Sequence, residues 1–190
     1  MVYFLNRLII LHDASHVKFN KHEKVARMAD LLIRFSKKRN GANVLSFVRS
    51  DGTSTWQRQQ GNFFALHDLT HYAVETTLGL RLGFYGLLAS GWDITDFGTP
   101  WPRGPIPPDA VEDAALAESV TGMLDMERAT GVAVSAADCN RWVTVQFEQV
   151  GMTLHRSLTD VALAQIRARF AELAARWQAL PPGESLELSF

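Results

Sequence analysis

The chain is poor in the residues that commonly fix a protein's class at sight. Among its 190 residues there is one cysteine, Cys139, so neither an intrachain disulfide nor a multi-thiolate metal site can be built. That usage fits a reducing, cytoplasmic setting. An excess of charge of one sign is also missing: 19 Lys and Arg stand against 20 Asp and Glu, a formal net charge of −1. Without a basic surplus, the chain offers no electrostatic footprint for nucleic acid or for an acidic membrane surface. No apolar run approaches the roughly 20 residues needed to span a bilayer; the stretch over 2–11 is broken by Asn6 and Arg7. The sequence contains no G-x-S-x-G nucleophile elbow, and the glycines at 79, 83, 86 and 91 do not form a phosphate-binding G-x-G-x-x-G, so serine hydrolase and dinucleotide chemistry lack their usual signatures. Internal repeats and low-complexity tracts are absent too.

What is present reads as strands, then helices, then one strand. Residues 1–27, with His12, His16 and His22 among several lysines, are expected to form a loosely ordered extension that can take up metal adventitiously. Residues 28–190 are expected to form one domain. Ala29–Phe35 and Asn43–Val48 are rich in Leu, Ile, Val and Phe, and Asn40-Gly41 between them predicts a two-residue hairpin. Ser50-Asp51-Gly52-Thr53 predicts a second turn into a polar strand around Thr55–Arg58.

Helical periodicity follows over Asn62–Leu78, with Asn62 as N-cap and Gly79 beyond the end, and a short helix over Phe84–Ala89. Residues 91–108 hold five prolines and two tryptophans, which predicts an irregular strap pinned by Trp92 and Trp101. Three longer helices are expected over Asp109–Thr130, Ser135–Met152 and Ser157–Leu180, the last two opened by Ser135/Asp138 and Ser157/Asp160 in capping-box patterns. Alternation over Glu184–Phe190 suits a fourth strand beside the meander. The expectation is an α+β fold: a small antiparallel sheet, made of an N-terminal three-strand meander and a C-terminal strand, packed on a bundle of about four helices.

The chemistry concentrates in one segment, Phe63-Phe64-Ala65-Leu66-His67-Asp68-Leu69-Thr70-His71-Tyr72-Ala73-Val74-Glu75. At 100° per residue, His67, His71, Glu75 and Asp68 share an arc of about 100° on a helix that is apolar nearly all round. Carboxylates and imidazoles on a buried helix cost several kcal/mol unless something pairs with them, and a divalent cation satisfies several at once. His67, His71 and Glu75 are therefore the expected ligands, for zinc or alternatively iron or manganese, with Asp68 as base or orienting residue. Further ligands must come from another helix; Glu118 with Asp125, and Glu148 with His155, each seven residues apart, are the candidates.

The motif His67-Asp68-Leu69-Thr70-His71 resembles the H-E-x-x-H helix of zinc-dependent proteases, with Asp68 where that family has its glutamate base, one methylene longer. It also resembles the H-D-x-x-H zinc motif of a ubiquinone-biosynthesis family, whose downstream glutamate falls on Gly83 here. The longer string HDLTHYAVE followed by GFYGLLASGW is similar to uncharacterised bacterial proteins and implies no activity. Two functions follow from the residues. One is a metal-dependent hydrolase acting on a small-molecule substrate. The other is a non-catalytic structural or interaction module with a buried polar network or structural ion; an exposed face on the long C-terminal helix leaves a homo-oligomer open.

Overall fold

A computed structural model describes residues 30–97, 110–149 and 151–190. The expected extension over 1–27, and the part of the proline-rich strap that carries Trp101, lie outside the described residues. Among these residues three strands come first: β1 (Leu31–Lys37), β2 (Asn43–Arg49) and β3 (Ser54–Gln59). Then follow α1 (Gly61–Leu78), α2 (Phe84–Ala89), α3 (Val111–Thr130), α4 (Ala136–Gln149), α5 (Asp160–Ala179) and β4 (Ser185–Ser189). The fold is α+β, with one antiparallel sheet in the order β3-β2-β1-β4 and helices packed on it.

Alternation sets the sheet's buried face. Leu31, Ile33 and Phe35 of β1 and Leu45 and Phe47 of β2 are buried, with Ile33 opposite Phe47 and Phe35 opposite Leu45; Leu186 and Leu188 extend the face onto β4. Against it lie Ala65, Leu69 and Tyr72 of α1, Tyr85 and Leu88 of α2, and Leu173 and Trp177 of α5. A second apolar cluster sits on the far side of α1, where Ala73 and Val74 meet Ala114, Ala117, Val120 and Leu124 of α3, with Cys139, Val143 and Phe147 of α4 beyond. Helix α1 is thus the middle layer, which is why its sequence is apolar nearly all round.

Several local expectations change. The first meander turn is a three-residue loop rather than the expected two-residue one: Lys38 N–H bonds to Ala42 O and Gly41 N–H to Lys38 O, and the second turn, expected at Ser50–Thr53, repeats this with Arg49, Gly52 and Thr53. Gly41 and Gly52, at φ +81° and +83°, take the left-handed position that closes such a loop. Asn62 does not cap α1. Gln60 holds that position without a side-chain bond, while Gly79 closes the helix in the left-handed conformation as expected. Helix α5 is capped by Thr159, whose side chain accepts from Ala162 N–H, so it starts later than Ser157; Asp160 instead accepts from Ala136 N–H. Ser135 and Asp138 do make the expected reciprocal box. Irregular structure was expected throughout 91–108, yet Ile94–Phe97 form a turn of 3-10 helix, with Asp96 Oδ2 accepting from Asp93 N–H.

Candidate metal centre

Two turns of α1 carry the site. His71 is buried and His67 and Glu118 are partly buried, and one ligand atom from each lies within 4.8 Å of the others. Glu118 comes from α3, so the cluster spans the seam between the two helices. Atoms bound at about 2.1 Å to one tetrahedral ion stand roughly 3.4 Å apart, so closure by at most about 1.4 Å would bring all three to one cation. The His71 Nε2 atom is 3.2 Å from Glu118 Oε1, and the two imidazole rings meet edge to face at 4.8 Å.

Other acids surround this trio. Asp125, about two turns beyond Glu118 on α3, places Oδ2 2.6 Å from His67 Nδ1. Its other oxygen accepts from Arg128, which also donates to Thr70 Oγ at 2.9 Å and packs over the Phe170 ring. Glu75, expected as the third ligand, lies on the opposite side of His71 from Glu118. Its Oε2 accepts from Tyr85 N–H at 3.1 Å and its Oε1 stands 3.5 Å from His71 Nδ1. Among the described residues the cluster of three therefore forms with Glu118. Space explains the placement of Glu75: a Cβ on Gly83 would fall 2.5 Å from Oε2, so the missing side chain at Gly83 leaves the cleft the carboxylate fills.

Asp68 is also buried. Gln59 of β3 donates to its Oδ2, and Tyr85 Oη donates to its backbone carbonyl at 2.7 Å, which ties this turn of α1 to the sheet edge and to α2. Burial pushes the Asp68 carboxyl above its ordinary range, against the pull of His67 and His71. Glu75 is raised for the same first reason. Burial would also raise Glu118 and lower His71, but their mutual attraction outweighs it: His71 is held well above the usual imidazole range and Glu118 below the usual carboxyl range. Four carboxylates thus face one guanidinium and two imidazoles in a largely dry space, an arrangement that favours a cation.

The remaining candidates fall elsewhere. Glu148 is exposed, and His155 pairs with Glu112 at the surface, 3.2 Å away, so that pair supplies nothing to the cluster. Cys139 is fully buried against α3, and burial pushes its thiol up to about 11, the reverse of an activated nucleophile. Gln59, Thr70 and Arg128 carry no motif. The only sign of Gln59 was a polar strand, β3, whose inward positions would need partners on burial.

Comparison with known proteins adds no relative: no family model, no curated protein and no solved structure matches the chain. Among the described residues, no helix is long and apolar enough to cross a membrane.

Proposed function

We propose that the protein binds one divalent metal ion through His67, His71 and Glu118 and uses it to hydrolyse a small-molecule substrate in the cytoplasm. The observation that carries this reading is the meeting of two imidazoles and a carboxylate from two helices inside an acid-rich, mostly buried space. Two histidines and one carboxylate leave coordination positions for water, as catalytic sites require. A bound ion would supply Lewis acidity and bring the pKa of a coordinated water toward about 7. Zinc suits this donor set best for hydrolysis, and iron or manganese share it. Asp68, next to His67 and with its carboxyl raised above its ordinary range by burial, is the residue we assign to accept a proton, held in place by Gln59.

A second reading, a non-catalytic module with a polar network, is favoured by one contact: His71 Nε2 lies within hydrogen-bonding distance of Glu118, 3.2 Å from its Oε1. Elemental analysis separates the two. The full chain, with His12, His16 and His22 changed to Gln to remove adventitious uptake, should hold close to one equivalent of metal after reconstitution with zinc, iron or manganese. A further His67→Ala/His71→Ala change should abolish it while circular dichroism shows the fold retained. Equal metal content in both proteins, or none in either, would sink the metal reading and leave the network.

A further inference from the structure

Each histidine of the cluster has an acid at its Nδ1 side. His67 Nδ1 meets Asp125 Oδ2 at 2.6 Å, and His71 Nδ1 faces Glu75 Oε1 at 3.5 Å. The last two atoms are buried and have no hydrogen-bond partner at that separation. The nitrogen that His71 turns toward Glu118 is Nε2. We propose that Asp125 and Glu75 are positioning residues that take the Nδ1 protons of His67 and His71 as hydrogen bonds, so that both imidazoles present Nε2 to the ion shared with Glu118. The inference rests on the metal reading above and reassigns Glu75 from ligand to orienting acid.

The chemistry of a neutral imidazole makes the two nitrogens exclusive. One bears the proton and the other the lone pair, so an acceptor at Nδ1 fixes the lone pair on Nε2 and makes it a stronger donor to a metal. Both acids are held for this task in the same way, with one oxygen tied to the protein and the other left to a histidine. Arg128 binds Asp125 Oδ1 and returns to α1 through Thr70, three residues beyond His67. Tyr85 N–H holds Glu75 Oε2. Leaving an imidazole nitrogen and a carboxylate oxygen unpartnered while buried face to face is costly, and a shift of a few tenths of an ångström joins them. The seven-residue spacing of Glu118 and Asp125 then has a role, placing a ligand and an orienting acid on one face of α3.

The test uses the full-length protein with ¹⁵N-labelled histidine, titrated with zinc. Long-range ¹H–¹⁵N correlation spectra should show one equivalent bound, with Nε2 metallated and Nδ1 protonated in both His67 and His71. Two variants probe the acids separately. Asp125→Asn keeps an acceptor oxygen but loses the charge, and Gly83→Ala puts a methyl into the space of the Glu75 carboxylate, at a backbone φ of −71° that alanine accepts. Each should weaken zinc binding about 10–100-fold while keeping one-to-one stoichiometry, and Asp125→Ala should lose more than Asp125→Asn. Zinc held through Nδ1 of either histidine, or affinities within twofold of wild type in both variants, would overturn the inference and leave the metal reading standing. No zinc uptake by the wild type would overturn both.

Discussion

At the scale of single residues, two glycines show how closely the chain is threaded past the site. Gly83 makes room for a carboxylate, whereas a Cβ at Gly86 would meet the Arg81 carbonyl oxygen at 1.9 Å. That neighbour is backbone and cannot swing aside, so Gly86→Ala should lower stability by about 2 kcal/mol or more, measured by urea denaturation. A loss below about 0.5 kcal/mol would mean that α2 can shift freely. Much of α1's chemistry was legible at this scale, because helical period alone puts His67, His71, Glu75 and Asp68 on one arc. Which acid meets which ring nitrogen was not. That depends on α3 approaching from about 50 residues away and on an absent side chain at Gly83, and neither leaves a local periodic mark. Gln59 and Arg128 stayed hidden for the same reason, since each acts only through a tertiary partner.

At the scale of elements, the helix ends are joined by polar links that reach between helices. Glu127, in the last turn of α3, accepts from Arg167 of α5 at 2.5 and 2.9 Å and from Val134 N–H at 2.9 Å, so one carboxylate connects α3, α5 and the segment leading to α4. The Arg167 hydrogen bond, above all, holds the Glu127 carboxyl below its ordinary value. A depressed native pKa stabilises the fold above the unfolded-state value near 4.3, and that contribution fades as pH falls through the lower native value. Glu127→Gln should therefore be less stable than wild type at pH 6, with the difference in urea midpoint shrinking by pH 3; a gap that is constant with pH would exclude the ionic contribution. Element type and order were readable from pattern, and boundaries were not. Thr159 displaces Ser157 as the cap of α5 because the preceding segment is tied down by Asn140, which bonds both Leu158 N–H and Leu158 O.

At the scale of the molecule, the candidate centre adds a polar junction between layers that meet mainly through apolar contact. An ion bound by α1 and α3 holds the sheet-facing layer to the outer helices, so occupancy should appear in global stability. At free zinc one hundred times its dissociation constant the gain is about 2.7 kcal/mol, which raises the melting temperature by roughly 5–10 °C for a chain of this size. Calorimetry with and without chelator should show that shift, and Glu118→Gln should remove most of it; a melting temperature indifferent to zinc would count against a bound ion.

The sheet order carries a consequence for the making of the protein. Among the described residues β4 is the last strand, yet its partner is β1, the first, about 150 residues earlier. At 5–20 residues per second, a ribosome needs roughly 8–30 s to travel between them. Through that interval the nascent meander has β1 as an open edge that β4 will later pair, with apolar Ile33 and Phe35 on the face that the helices will cover. Strand closure is thus a late event in synthesis, and the growing chain is most in need of chaperone protection before residues 185–189 emerge.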